Sequence, residues 1–187
     1  GQLWIENASN MDGTLIQFMQ DGSQKALSLQ NSGDPYCIHT PAELCIDIYN
    51  RQQKWMIACR AGTAVVLLND GGTMLDSFDD QLTVRTELHD QDGNPIIPEF
   101  YYTIAQSPNG DIWVGSSMGP IIIPREANFE QEDICRRLRI QMPDGTYLLE
   151  TERINSFAFT QDKICIGTHM NGVYILNEDA TEVLAHY

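Results

Sequence analysis

Ile112-Trp113-Val114-Gly115-Ser116-Ser117-Met118-Gly119-Pro120-Ile121-Ile122-Ile123 returns later in the chain as Ile164-Cys165-Ile166-Gly167-Thr168-His169-Met170-Asn171-Gly172-Val173-Tyr174-Ile175. Trp55-Met56-Ile57-Ala58-Cys59-Arg60-Ala61-Gly62-Thr63-Ala64-Val65-Val66 aligns with both without a gap, and Leu3-Trp4-Ile5-Glu6 is a shorter fourth copy. The shared anchor position then holds Trp4, Met56, Trp113 and Cys165, recurring about every 50 to 60 residues.

Working outward, each full copy has the same grammar. An apolar strand leads (Leu44 to Tyr49, Phe100 to Ala105, Ile154 to Phe159), and a polar turn follows it. Then come the anchor strand, a turn of small residues and a third apolar strand. A fourth strand closes the unit (Leu82 to Leu88, Ile134 to Ile140, Thr181 to His186). Asx-Gly pairs punctuate the chain at Asp12-Gly13, Asp21-Gly22, Asp70-Gly71, Asp92-Gly93, Asn109-Gly110, Asp144-Gly145 and Asn171-Gly172. Such pairs supply the positive φ that tight hairpin turns need. Short strands joined by hairpin signals indicate an all-β chain.

A repeat of this length with four antiparallel strands is a propeller blade, whereas a β-sandwich has no reason to recur at a fixed interval. One blade cannot bury both of its faces, so neighbours must stack. The expected fold is a β-propeller fragment of about four four-stranded antiparallel blades, the first incomplete. The blades are expected near 1–42, 43–98, 99–151 and 152–187, with the anchors in the inter-blade core. The first copy lacks its opening strand, so the chain is expected to be part of a larger propeller. Its open faces would then promote self-association.

Composition narrows the function. The 187 residues carry a formal net charge of -15. A nucleic-acid binder needs a cationic footprint to displace phosphate counterions, so nucleic acid is rejected, and anionic membrane surfaces are disfavoured. The sequence has no apolar run long enough for a membrane span and no signal-peptide pattern. Five cysteines, Cys37, Cys45, Cys59, Cys135 and Cys165, are too few and too widely spaced for a disulfide-stapled framework. Cys59 and Cys165 are expected as small core residues on strands, and a Cys37–Cys45 bridge is an open alternative.

The motifs carry a resemblance. Ser107-Pro108-Asn109-Gly110-Asp111-Ile112-Trp113-Val114-Gly115-Ser116 resembles the core of two-component regulator propeller repeats, and Ile154 to Phe159 with Ile164 to Thr168 looks like the next repeat. Phe129 to Ile140, running into Leu148-Leu149-Glu150, is similar to the PorZ-like propeller proteins of Bacteroidetes. Cys165 and Met56 replace the usual Trp, Asp162 stands at the turn Gly, and Ser107 replaces the leading Asp. The resemblance implies an extracytoplasmic location. It implies either a sensor region of a hybrid histidine kinase that responds to glycans or a protein linked to type IX secretion and lipopolysaccharide delivery.

Catalytic and metal patterns are weak. Gly115-Ser116-Ser117-Met118-Gly119 matches G-x-S-x-G, but a nucleophile elbow needs a helix after the Ser, and an extended stretch follows here. Asp90-Gln91-Asp92-Gly93-Asn94 does not have EF-hand spacing, and Cys37, His39 and Cys45 fit no standard zinc site. His39, His89, His169 and His186 are scattered. Glu130, Glu132 and Asp133 beside Arg136, Arg137 and Arg139 are expected to form a solvated charged face.

The repeat itself offers one constellation. Arg60, Ser117 and His169 share the turn between second and third strands, so they would lie on one face of the blades as ligand-binding candidates. The expectation is a non-catalytic binding or scaffold segment with no cofactor and no metal. Its partner would be a glycan, a lipopolysaccharide component or a protein. The alternatives are a sensor input region and a propeller-fold glycan lyase or hydrolase. The enzyme is disfavoured because no paired acid and base emerge at related positions.

Overall fold

The computed structural model describes residues 3–6, 15–27, 41–58, 63–72 and 78–187. The chain forms two compact units, Gly1–Thr86 and Glu87–Tyr187. Every regular element among the described residues is a β-strand.

The first unit holds two sheets. One has three strands, β1 (Leu3–Glu6), β2 (Leu15–Phe18) and β3 (Gln24–Leu27), paired in sequence order. The other has four, β4 (Pro41–Ile46), β5 (Gln53–Ala58), β6 (Ala64–Asn69) and β7 (Gln81–Arg85). In the second unit a short ribbon, β8 (Leu88–His89) with β9 (Pro95–Ile96), precedes two further four-stranded sheets. These are β10 (Tyr101–Gln106), β11 (Ile112–Ser116), β12 (Gly119–Ile123) and β13 (Arg136–Arg137), then β14 (Ile154–Phe159), β15 (Lys163–Thr168), β16 (Val173–Asn177) and β17 (Val183–His186). All pairings in these sheets are antiparallel meanders. The Asx-Gly turns behave as their chemistry requires: Gly22, Gly71, Gly93, Gly110, Gly145 and Gly172 all have positive φ.

Several strand ends depart from the sequence pattern. The expected strand Leu82 to Leu88 is Gln81–Arg85, with Leu88 in the separate ribbon, Thr181 to His186 is Val183–His186, and two others follow. The first strand of the second copy is Pro41–Ile46 and stops before Tyr49. Asp47 ends it, because its carboxylate accepts hydrogen bonds from the Tyr49 and Asn50 amides and turns the chain, leaving Ile48 and Tyr49 exposed. The expected strand Ile134 to Ile140 keeps ladder pairing only at Arg136–Arg137.

The register corrects the anchor of the second repeat. A bulge interrupts β4 between Pro41 and Glu43, β10 between Tyr101 and Thr103, and β14 between Ile154 and Ser156. These irregularities mark one common point. Counting from it, Cys45, Ala105 and Ala158 are equivalent, and they pair with Trp55, Trp113 and Cys165. Trp55, not Met56, is therefore the anchor. Met56 corresponds to Val114 and Ile166, on the opposite face. A gapless alignment fails because the hairpins closed by Ala58–Ala64, Ser116–Gly119 and Thr168–Gly172 differ in length. A slip of one residue moves every side chain of a strand to the other face.

With this register the core is consistent within each unit. Trp4 projects from the first sheet onto Met56, Ala58, Ala64, Val66 and Leu68 of the second. Trp55, Ile57, Val65 and Leu67 are buried on the other face of that second sheet. In the second unit Trp113 projects from the third sheet onto Ile154, Ile164, Ile166 and Leu176 of the fourth. Its ring meets Phe157 and Phe159 edge-on, with centroids 5.6 and 5.8 Å apart. Such aromatic pairs add about 0.5–1.5 kcal/mol beyond area burial. Cys165 takes the anchor position on the outward face of the fourth sheet and is half-buried with a free thiol. Cys37 and Cys59, and with Cys37 the considered Cys37–Cys45 bridge, lie outside the described residues.

Candidate ligand-binding surface

The bulges in β10 and β14 build the site. Each leaves one residue, Tyr102 and Asn155 respectively, without a partner across the ladder. A bulge bends the strand and re-aims its side chain. The glycine of the repeat motif answers it on the neighbouring strand. A Cβ on Gly115 would stand 2.5 Å from Thr103 Cγ2 and 2.9 Å from the Ile154 carbonyl oxygen.

The hairpins are tied to the strand starts by a repeated bond. Ser117 N–H donates to the Phe100 carbonyl at 2.9 Å, and His169 N–H donates to the Arg153 carbonyl at 2.9 Å. Ser117 and His169 thus occupy equivalent places at one end of the second unit. Ser117 Oγ accepts from the Glu99 and Phe100 amides at 3.0 and 3.4 Å, so it caps the turn into β10. The segment around it is a β-hairpin joining β11 to β12, not a strand-to-helix elbow. His169 is exposed. Arg60 lies outside the described residues.

Between these hairpins stands a group that the sequence did not mark. The Arg153 guanidinium lies over the Tyr102 ring, with Cζ 3.9 Å from the centroid. Its Nε donates to Asn155 Oδ1 at 2.9 Å. Phe100, 40% exposed, sits beside Tyr102 with ring centroids 6.1 Å apart. Tyr102 and Asn155 come together because equivalent bulges place them at the same level of adjacent sheets. Nothing in apolar alternation signals a bulge, although Gly115 and Gly167 mark the strands that face one.

Beneath this surface the connection into β14 is locked. Arg137 donates to the Met118 and Glu150 carbonyls, and Gly119 N–H donates to the Glu152 carbonyl at 2.9 Å. Burial lowers the Arg137 pKa from its ordinary value, opposed by the Glu150 charge. The charged patch is the solvated face expected at Glu130, Glu132 and Arg136, which are exposed, while its half-buried members Asp133, Arg137 and Arg139 tie neighbouring segments together. Arg136 pairs with Asp111 at 2.9 Å, Arg139 with Asp90 at 2.9 Å and with Asp92 at 2.5 Å, and Asp133 with His89 at 3.1 Å.

The Asp90–Asn94 loop closes on itself. Asp90 Oδ1 accepts the Asp92 and Asn94 amides, both at 2.9 Å, while Arg139 bonds Oδ2. Burial disfavours the charge, but these bonds outweigh it and hold the Asp90 pKa at about 2. Arg139 thus supplies the positive charge that a cation would bring. Among the described residues, no group of three or more His, Cys, Asp or Glu could hold a metal. Cys37 and His39 lie outside those residues.

At the opposite strand ends, each unit has a cleft floored by its projecting Trp. In the second unit it measures about 370 Å³ and runs from Ser107 and Asp111 to Thr160 and Lys163, over Trp113. In the first unit it measures about 880 Å³ and runs from Met19 to the Asn50–Gln52 turn, over Trp4. The recurrence at equivalent places makes these clefts a product of blade packing.

No family model matches the chain, and no curated protein matches it. Solved structures do. PorZ, an essential bacterial surface component of the type IX secretion system of Porphyromonas gingivalis, superposes with TM-score 0.84 at 20% identity over 100% of this chain. This is a β-propeller fragment. The extracellular domain of the hybrid two-component system BT4673 from B. thetaiotaomicron superposes with TM-score 0.60 at 16% identity over 98% of the chain. The propeller segment covers only 26% of the PorZ chain and 23% of the BT4673 chain. At such identities the likeness shows the fold.

Proposed function

We propose that the chain is a non-catalytic binding segment of an extracytoplasmic propeller protein of the PorZ-like, two-component regulator propeller kind. It presents the hairpin end of its blades to a glycan, a lipopolysaccharide component or a protein. The observation that carries this reading is the group of exposed Phe100 and His169 with half-buried Tyr102 and Arg153 on a locked scaffold. Aromatic rings with an arginine on rigid loops form a binding surface at little conformational cost. The likeness to a surface component and to an extracellular domain supports the location. Ser117 Oγ accepts the Glu99 and Phe100 amides on a β-hairpin, an arrangement that supports the non-catalytic reading of the G-x-S-x-G stretch.

The likeness to BT4673 favours a second reading, in which the same surface is part of a sensor input. A role in type IX secretion and lipopolysaccharide delivery is the first reading's counterpart. Titration of the chain with a panel of neutral and anionic glycans, lipopolysaccharide and outer-surface proteins tests the shared claim. Binding that Phe100→Ala and Arg153→Ala abolish is expected. Binding that both variants retain would move the site elsewhere, and turnover of a glycan would overturn the non-catalytic reading.

A further inference from the structure

The Arg153 side chain is held in place yet unfinished. Its Nε donates to Asn155 Oδ1, and the Tyr102 ring covers one face of the guanidinium. Its main chain is fixed too, because the Arg153 carbonyl accepts the His169 amide. Both terminal amino groups keep their donors, and no acceptor among the described residues stands against them. A free arginine side chain loses considerable rotamer entropy on binding, and this one has already lost it. A guanidinium with both terminal nitrogens open matches an oxyanion with two parallel hydrogen bonds.

The surroundings bear this out. The nearby Glu150 accompanies Arg137, with 4.0 Å between Oε1 and Nη1, and Glu152 accepts from Asn171 Nδ2. These acids have partners of their own. Arg136, Arg137 and Arg139 are consumed by carboxylates or carbonyls, whereas Arg153 is not. Phe100 adds an exposed apolar ring face beside Tyr102, which suits the hydrocarbon face of a sugar ring.

We infer that Arg153, clamped by Tyr102 and Asn155, is the receptor for an oxyanion group, a carboxylate or a phosphate, carried on a sugar ring. Tyr102 and Asn155 are positioning residues that act through Arg153. The inference rests on the reading of this surface as a binding face, but it concerns one chemical group of the ligand.

The test uses the whole chain with labelled arginine side chains. The NMR signal of Arg153 Nε–H is followed while glucuronate, glucose 6-phosphate and glucose are added separately. Glucuronate, glucose 6-phosphate or both shift the signal, and glucose does not. A response to glucuronate alone assigns a carboxylate, and a response to glucose 6-phosphate alone assigns a phosphate. Arg153→Gln weakens the anion about tenfold or more, as expected for loss of a charge-assisted pair. Tyr102→Ala keeps the charge but releases the clamp, and weakens the anion by a smaller factor. Unchanged thermal unfolding of each variant keeps these losses from being read as misfolding. No shift with either anion, an equal shift with glucose, or full anion binding by Arg153→Gln overturns the inference. If a neutral glycan or a protein binds through Phe100 while both anions are silent, the inference falls and the binding face stands.

Discussion

Lys54 donates to the Asp70 carboxylate beneath the ring of Trp4, where Ile112 and Ile164 stand in the later repeats. The ammonium lies 5.0 Å from the Trp4 ring centroid and donates to the Gln52 carbonyl at 3.2 Å. Both side chains are almost inaccessible, at 1% and 8%. An ion pair has therefore entered a core position that is aliphatic elsewhere.

Breaking that pair from one side leaves a buried charge without compensation. Asp70→Ala is expected to lower stability by about 3–5 kcal/mol. The double variant Lys54→Met with Asp70→Asn is expected to lose much less, because it removes both charges and fills similar volume. Urea unfolding of the two variants checks this. Equal losses in both would show that the cost comes from packing and not from the orphaned ammonium.

Acid should weaken the second unit through Asp90. Its folded pKa of about 2 lies below the ordinary 3.8, so the group adds stability above pH 3.8, and that stability is lost as pH falls through about 2. Asp90→Asn is expected to be less stable than the natural chain at neutral pH. Its stability is also expected to fall less steeply between pH 4 and pH 2. Urea midpoints across that window give the slope directly, and parallel slopes would remove Asp90 from the account.

The two free thiols of the second unit should differ in reactivity. Cys135 is fully buried, and burial with the Asp90 charge pushes its pKa up to about 12. Cys165 is half-buried on the outward face of the fourth sheet. Native alkylation at pH 8 followed by mass spectrometry is expected to label Cys165 well before Cys135, because only the thiolate reacts. Equal labelling would mean that the Cys135 region opens readily.

That outward face should also promote association. By register, Ala158, Cys165, Ile175 and Ala185 share it, opposite the Trp113 core. A sheet face of small apolar residues attracts another such face. Sedimentation is expected to show concentration-dependent self-association, and Ile175→Lys is expected to reduce it. A monomer at all concentrations would show that the face is adequately solvated.

Much of the architecture was legible because it is local. Strand β14 runs over Ile154–Phe159, as its apolar pattern predicts, since the Thr160–Asp162 turn ends it through a side-chain bond between the two. The Asn109-Gly110 and Asn171-Gly172 turns follow from the positive φ that glycine takes without strain. The equivalence of Ser117 and His169 was also readable, because Gly115-Ser116-Ser117 and Gly167-Thr168-His169 stand at the same place in aligned copies of the repeat. The anchor of the second repeat was not. Its register depends on hairpin length, and both Trp55 and Met56 are apolar enough to fill either face.

From the sequence alone came an all-β chain of repeated four-stranded units, joined by glycine turns and too acidic for nucleic acid. Those properties depend on short-range dihedral preferences and on summed charge, which do not require knowledge of neighbours. Tertiary structure decided which Trp faces which sheet, that Lys54 is paired and not exposed, and that Tyr102, Arg153 and Asn155 meet. Each of these depends on bulges and on a second sheet arriving alongside, so side chains distant in sequence are brought into contact only when the blades stack.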